Sequence, residues 1–128
     1  MKVLVTGFTP FGGEQINPSW EAVKRLPERI GEMTITKREI PTEFDAACAA
    51  LRAAMDELRP DAVLSVGQYG GANCIRVERV AVNLRDARIA DNAGAKPVDE
   101  PVVPGAPDAY FATLPPRRFV EKLRGEDI

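Results

Sequence analysis

The fold is predicted most directly by residues 42–67, which read TEFDAACAALRAAMDELRPDAVLSVG. Apolar residues recur in the first part at the three-to-four spacing of an amphipathic helix. They are Phe44, Ala47, Cys48, Leu51, Met55 and Leu58. The helix is predicted over about 43–58: Thr42 and Asp45 match a capping box at its start, and Pro60 ends it. Residues 61–67 then form a short apolar run ending in glycine, which is typical of a buried parallel strand.

The residues before this stretch continue the alternation of strands and helices. Residues 2–6 predict a buried strand that leads into a glycine-rich loop. Asn17 and Pro18 predict a helix start, since asparagine caps helices and proline suits the first helical position. Residues 33–40 predict a second strand, whose charges favour an edge position. The order strand, helix, strand, helix, strand predicts an α/β fold with a parallel sheet, in which the third strand is central.

The later part of the chain has weaker patterns. Residues 75–84 predict β structure with a change of phase near its middle, where a turn or bulge would redirect a side chain. A stretch of about 20 residues with four prolines follows Asp86 and predicts a loop that is either functional or disordered. Short helices are expected at 108–114 and 116–124. The chain then ends where another parallel strand is expected, which predicts a single incomplete domain, 1–128, truncated at its C-terminal side.

Composition and charge exclude several classes of function. The 128 residues are 45% apolar and 28% charged, as in an ordinary globular protein. The net charge of −2, with both signs interspersed, argues against nucleic acid or a membrane surface as a partner. The N-terminus has no apolar stretch typical of a secretory signal, and Cys48 and Cys74 have the spacing of unpaired thiols. These features predict a cytoplasmic protein.

The chain contains no histidine. A Ser-His or Cys-His pair therefore cannot be built from these residues alone, and a zinc site is disfavoured. Any catalytic function must proceed without histidine or obtain it from elsewhere.

Several side chains are candidates for ligand contact. The glycine-rich loop lacks both phosphate-binding motifs, and its Phe8 and Phe11 either form an apolar platform or only cover the end of the sheet. Gln68 follows the third strand, at the edge where open α/β sheets bind ligands. Glu78 lies at the change of phase and is either a functional acid or a solvated turn residue. Cys48, on the apolar face of its helix, is expected in the core, and Cys74 is interpreted as structural. The residues alone thus predict a small-ligand cleft and no particular reaction.

Five motifs follow one another along the chain. They are VTGFTPFGG at 5–13, NPS at 17–19, VGQ at 66–68, ERVAVN at 78–83 and ARI at 87–89. In this order they resemble the N-terminal portion of pyrrolidone-carboxylate peptidases, the type I pyroglutamyl peptidase family. The resemblance implies an open, three-layer α/β/α sandwich with a mostly parallel sheet. It also implies a cytoplasmic cysteine peptidase that removes N-terminal pyroglutamate from peptides, needs no metal or cofactor, and assembles as a homo-oligomer, often a tetramer.

The resemblance also implies roles for individual residues. Phe8 and Phe11 match the residues that line the pocket for the pyroglutamyl ring, and Asn17 and Gln68 match polar positions near it. An amide such as that of Gln68 can pair with both the N–H and the C=O of a lactam. Two further matches, beside the site, are Arg88 and Ile89.

The catalytic set of the family is a cysteine, a histidine and a glutamate. Glu78 matches the glutamate, whose expected role is to accept a hydrogen bond from the histidine and orient it. The segments that carry the nucleophile and the histidine have no counterpart here, and neither Cys48 nor Cys74 matches the nucleophile. We therefore expect the isolated chain to be inactive. Three interpretations follow: a fragment of an ordinary enzyme, a non-catalytic binding or assembly subunit, or half of a split enzyme completed by a second chain.

Overall fold

The structure, a computed structural model, describes residues 1–126, and the chain divides into two compact units. The first unit comprises residues 1–68 and 89–95. The second comprises residues 69–88 and the described residues from 96 onward. The expectation of one domain over the whole chain stays a prediction.

The first unit is built on a four-stranded sheet with two principal helices. Its elements are β1 (Lys2–Phe8), α1 (Pro18–Lys24), β2 (Arg29–Ile30), β3 (Met33–Ile40), α2 (Phe44–Leu58) and β4 (Ala62–Ser65). The strand order is β2-β3-β1-β4, with β1 parallel to both β3 and β4 and only the short β2 antiparallel. The predicted α/β fold with a mostly parallel sheet is confirmed.

The two helices cover opposite faces of this sheet. Side chains alternate between the faces along a strand, so Val5 and Ile35 point to one side, where they pack against Val23 of α1. Arg38 points to the other side and forms an ion pair with Glu57 of α2, at 3.2 Å. One helix on each face gives the expected three layers.

Gly7 allows α1 to lie directly against β1. A β-carbon at this position would lie 2.6 Å from the Cα of Trp20 and 2.9 Å from the carbonyl carbon of Ser19. Both are backbone atoms of the helix, so they cannot rotate away. Glycine is therefore required at the point where β1 leads into the loop.

Four local expectations for the first unit are wrong. β3, expected at an edge of the sheet, lies between β1 and the short β2. β4 lies at the edge of the sheet rather than at its centre, and Leu64 is 45% exposed. Cys48, expected in the core, is exposed, because α2 contacts mainly β3 and leaves part of its apolar stripe uncovered. The capping box does not form: α2 begins behind Glu43, whose side chain makes no capping bond, while the Thr42 hydroxyl donates to another loop.

The second unit contains a two-stranded sheet and one helix. Its elements are β5 (Val80–Val82), β6 (Ala109–Phe111) and α3 (Pro116–Gly125). β5 is shorter than the predicted strand at 75–84, since the residues before Val80 are irregular. The helix predicted at 108–114 is wrong: its aromatic residues suit a strand, and they pair antiparallel with β5. The helix expected at 116–124 is present.

The proline-rich loop of the second unit is tied down by side-chain bonds to backbone. The Asn83 side chain accepts a hydrogen bond from the Val103 N–H at 2.8 Å and donates to the Val103 carbonyl at 2.9 Å. Arg85 and Glu100 form an isolated antiparallel bridge and an ion pair at 3.2 Å. This part of the chain is thus ordered by polar contacts, while all side chains of β5 and β6 are exposed.

Candidate functional site

The loop after β1 is fixed to the carboxyl-terminal edge of the parallel sheet through Thr9. The Thr9 N–H donates to the Ile40 carbonyl at 2.9 Å and so continues the pairing of β1 with β3. The Thr9 hydroxyl accepts the Thr42 N–H at 2.9 Å, and the Thr9 carbonyl accepts the Thr42 hydroxyl at 2.7 Å. These bonds fix the backbone between Phe8 and Pro10 and tie it to the segment that precedes α2.

Asn17 joins the same loop to helix α1. Its side-chain oxygen accepts hydrogen bonds from the N–H and the hydroxyl of Ser19, at 3.0 and 2.8 Å, which confirms the predicted N-cap. Its side-chain nitrogen donates to the Thr9 carbonyl at 3.0 Å. Ser19 in turn accepts the Phe8 N–H at 3.0 Å. Because Asn17 is only 2% exposed, its amide acts within the fold and holds the Phe8–Thr9 backbone against the helix.

A second segment, residues 89–95, lies along the same edge. The Asn92 side chain donates to the Pro10 carbonyl at 2.8 Å, and the Asn92 N–H donates to the Thr42 carbonyl at 3.2 Å. The Asp91 carboxylate accepts the Phe44 N–H at 2.8 Å, at the first residue of α2. The segment is thus bound both to the loop after β1 and to the start of α2.

The Asp91 carboxylate is the charged group at this edge with the clearest electrostatic role. It accepts backbone N–H groups from Phe44 and, within its own turn, from Ala93 and Ala95. These bonds, the one from Phe44 first, hold the pKa of Asp91 below its usual range, against the opposing effect of desolvation. A negative charge at the N-terminus of α2 is also favoured by the helix dipole.

The structure brings five of the predicted site residues into the first unit. Phe8 ends β1, and Phe11 follows in the loop; both are half-buried. Gln68 is exposed and follows β4, which pairs with β1 as far as the bond from the Val66 N–H to the Thr6 carbonyl. The segments that follow β1 and β4 therefore leave the sheet at the same edge. The remaining two are Asn17, described above, and Ile89, which is 43% exposed.

Glu78 and Arg88 lie in the second unit. Glu78 is exposed in the irregular segment before β5, and its carboxylate makes no hydrogen bond or ion pair with residues 1–126. The neighbouring Arg79 accepts the Ala112 N–H at its carbonyl, at 2.8 Å, which ties this segment to the end of β6. Arg88 is also exposed. The roles assigned to Glu78 and Arg88 stay predictions.

Sequence reasoning missed the polar residues that hold this edge together. They are Thr9, Thr42, Asp91 and Asn92. Asp91 had a signal, because Asp-x-x-Gly is typical of a turn closed by the aspartate side chain. Its bond to Phe44, however, spans 47 residues and has no local pattern. The role of Asn92, 82 residues from Pro10, likewise needs the fold.

Other features of the described chain lie apart from this edge. A shallow recess of about 50 Å³, open to solvent, lies at the opposite edge of the sheet, beside Lys2, Leu58 and Pro60. Residues 1–126 contain no cluster of three or more side chains suited to hold a metal ion. In the same range, no helix is both long and apolar enough to cross a membrane.

The comparisons with known proteins all identify the same family. The family model for pyroglutamyl peptidase matches residues 1–128. A pyrrolidone-carboxylate peptidase of Thermococcus onnurineus is 53% identical over 128 residues, which are all of this chain and 64% of the relative. One from Gloeobacter violaceus is 55% identical and is covered over 63% of its length. The chain thus spans about three fifths of the length of these relatives.

Solved structures agree with the sequence comparison. The crystal structure of Bacillus amyloliquefaciens pyroglutamyl peptidase I matches with a TM-score of 0.95 and 51% identity, over 99% of this chain and 62% of the other. A mutant pyrrolidone carboxyl peptidase from Pyrococcus furiosus matches with a TM-score of 0.96 and 48% identity, over 100% of this chain and 62% of the other.

Proposed function

Since the chain belongs to the pyroglutamyl peptidase family, we propose that it provides the substrate pocket and the orienting glutamate of a cysteine peptidase that removes N-terminal pyroglutamate from peptides. The observation that carries this proposal is the match of the family model to all 128 residues. The loop that bears Phe8 and Phe11, fixed at the carboxyl edge of the sheet, supports it.

The first unit has the elements of a lactam site. The two phenylalanines, half-buried at the edge where β1 ends, supply apolar surface for the flat ring. Gln68 leaves the neighbouring strand at the same edge and is exposed, so its amide is available to pair with the N–H and the C=O of the lactam. The family resemblance further implies that Ile89 adds apolar surface to this site and that Arg88 acts near the oxyanion.

Amide cleavage requires a nucleophilic cysteine and a histidine; neither Cys48 nor Cys74 matches the family's nucleophile, and these 128 residues contain no histidine. A thiolate attacks the pyroglutamyl carbonyl, the C–N bond breaks, and an imidazolium gives its proton to the leaving amine. Water then hydrolyses the thioester and releases pyroglutamate. Glu78 is exposed and makes no bond with the described residues, so its carboxylate is available to hold the imidazole in the required tautomer.

We further propose that the active protein is a cytoplasmic homo-oligomer, as the family resemblance implies. The alternative function is a non-catalytic binding or assembly subunit, or half of a split enzyme. The lack of histidine is compatible with this alternative and equally with a fragment of an ordinary enzyme.

The proposal is tested with a chimaera that joins residues 1–128 to the remaining C-terminal residues of the Thermococcus onnurineus relative. We expect the chimaera to hydrolyse a pyroglutamyl-coumarin amide and to lose activity with a thiol reagent, while the 128 residues alone show no turnover. A chimaera that folds, by circular dichroism, but does not cleave the substrate contradicts the proposed peptidase function. Thiol-sensitive turnover by the 128 residues alone would show that Cys48 or Cys74 acts as the nucleophile.

A further inference from the structure

We propose that Asn92 is a positioning residue for the lactam pocket: its side-chain amide sets the orientation of the peptide that carries Phe11. This inference rests on the proposed function and adds to it a residue that determines affinity for the ring. Its starting point is the 2.8 Å hydrogen bond from the Asn92 side chain to the Pro10 carbonyl.

The Pro10 carbonyl belongs to the planar peptide group that links Pro10 to Phe11. Since a peptide group is rigid, holding its oxygen in place fixes the rotation of the whole plane. The N–H and Cα of Phe11 lie in the same plane, so the direction in which the Phe11 side chain leaves the backbone follows from that rotation. Proline has no N–H, so the preceding Thr9–Pro10 peptide offers no donor that could hold the loop in place of this bond.

The residues on either side of this peptide are held by other bonds. Thr9 is fixed to Ile40 and Thr42, as described above. Beyond it, the Phe11 carbonyl accepts the Glu14 N–H at 3.2 Å and closes a turn with Gly12 at a φ of 64°. The Asn92 bond therefore acts at the junction between a part of the loop fixed by the sheet and a self-contained turn.

Asn92 itself has a rigid support. Its N–H donates to the Thr42 carbonyl, and the preceding Asp91 carboxylate closes a turn through Ala93 and Ala95. The same carboxylate accepts the Phe44 N–H of α2. The Asn92 side chain is thus presented from a short turn with backbone contacts on both sides.

The exposure of Asn92 separates a positioning role from a structural one. Asn92 is exposed, so water can donate to the Pro10 carbonyl when the side-chain amide is removed. The fold should therefore lose little stability. The loop peptide, in contrast, gains freedom to rotate, and the ordering of Phe11 then has to occur when the ligand binds. Loss of pre-organisation lowers affinity without removing any contact to the ligand.

The test measures lactam binding by the 128-residue chain. L-pyroglutamamide is titrated in a calorimeter against the wild type, Asn92→Ala, Asn92→Asp and the control Asn73→Ala, and melting temperatures are recorded for each. Asn92→Asp keeps the size of the side chain but cannot donate, and Asn73 is exposed in the second unit without a hydrogen bond to the described residues. We expect both Asn92 variants to bind at least tenfold more weakly, with melting temperatures within about 3 °C of the wild type. Asn73→Ala should bind like the wild type.

The possible results separate the inference from the proposed function. If the wild type binds and either Asn92 variant binds within twofold of it, Asn92 does not position the pocket and the proposed function stands. If the wild type binds no L-pyroglutamamide, the positioning role of Asn92 and the proposed function are both contradicted. In the chimaera, a positioning role of Asn92 predicts a higher KM for the Asn92 variants with kcat unchanged. A lower kcat at constant KM would contradict that role.

Discussion

Replacing Gly7 with alanine should destabilise the chain by about 3 kcal/mol, at the upper end of the usual cost of overpacking. The new β-carbon would lie 2.6 Å from the Cα and 2.7 Å from the backbone nitrogen of Trp20, while ordinary contacts begin at 3.4 Å. Helix α1 would therefore have to move by about 0.8 Å away from β1. Because the obstructing atoms are helix backbone, no side-chain rotation can relieve the contact.

The shift would also reach the candidate pocket. Ser19 moves with the helix, and its hydroxyl accepts the Phe8 N–H at 3.0 Å. Weaker binding of L-pyroglutamamide should therefore accompany the loss of stability. With a total stability of about 5–15 kcal/mol for a typical domain, the expected change is a large fraction of the whole.

Urea unfolding followed by Trp20 fluorescence measures the change, since this is the only tryptophan in the chain and it packs against the core. Gly67→Ala is the matched control, because a β-carbon there meets no atom within 4 Å and the backbone φ is not positive. We expect this control to lie within about 0.5 kcal/mol of the wild type. If Gly7→Ala is as stable as the control, the close approach of α1 to β1 does not exist and the reasoning fails.

Three further predictions concern side chains at the site. Asp91→Asn should lower stability above about pH 4, and the difference from the wild type should shrink as the pH falls through the lowered folded pKa; a difference independent of pH would contradict the charge effect. In the chimaera, Glu78→Gln should reduce kcat by about 10²- to 10⁴-fold with little change in KM, whereas the control Glu32→Gln, at an exposed residue, should leave kcat unchanged. If kcat of the Glu78→Gln variant equals that of the unsubstituted chimaera, Glu78 is only a solvated turn residue. Phe11→Ala should weaken L-pyroglutamamide binding by about 1–3 kcal/mol, and unchanged affinity by calorimetry would exclude its ring from the pocket.

Most expectations that depended on neighbouring residues were confirmed, and the capping box at Thr42 is the exception. The N-cap at Asn17 and the start of α1 at Pro18 need only a few adjacent residues, since the capping side chain reaches two positions along the chain. The bounds of β3 and α2 agree with the predicted segments to within one residue. Periodicity is likewise local, so it is visible without the fold.

Expectations that depended on distant partners were less accurate. Residues 109–111 are too short a run for periodicity to separate a strand from a short helix, and their pairing with β5 decides for the strand that their aromatic residues favour. Cys48 lies on the apolar stripe of α2, but burial also requires a surface opposite that stripe, and β3 covers only part of it. The central position assigned to β4 was wrong because strand order is not encoded in the strand itself.

The sequence by itself determined the α/β class, the limits of its main elements and the family motifs, because each rests on residues close together in the chain. Only the tertiary structure decided which groups meet at the carboxyl edge of the sheet. Asp91 caps α2 and Asn92 fixes the Pro10 carbonyl across 47 and 82 residues. A hydrogen bond between such residues forms only after the chain between them has folded, so its existence depends on the sheet that brings its ends together and not on the identity of either residue alone.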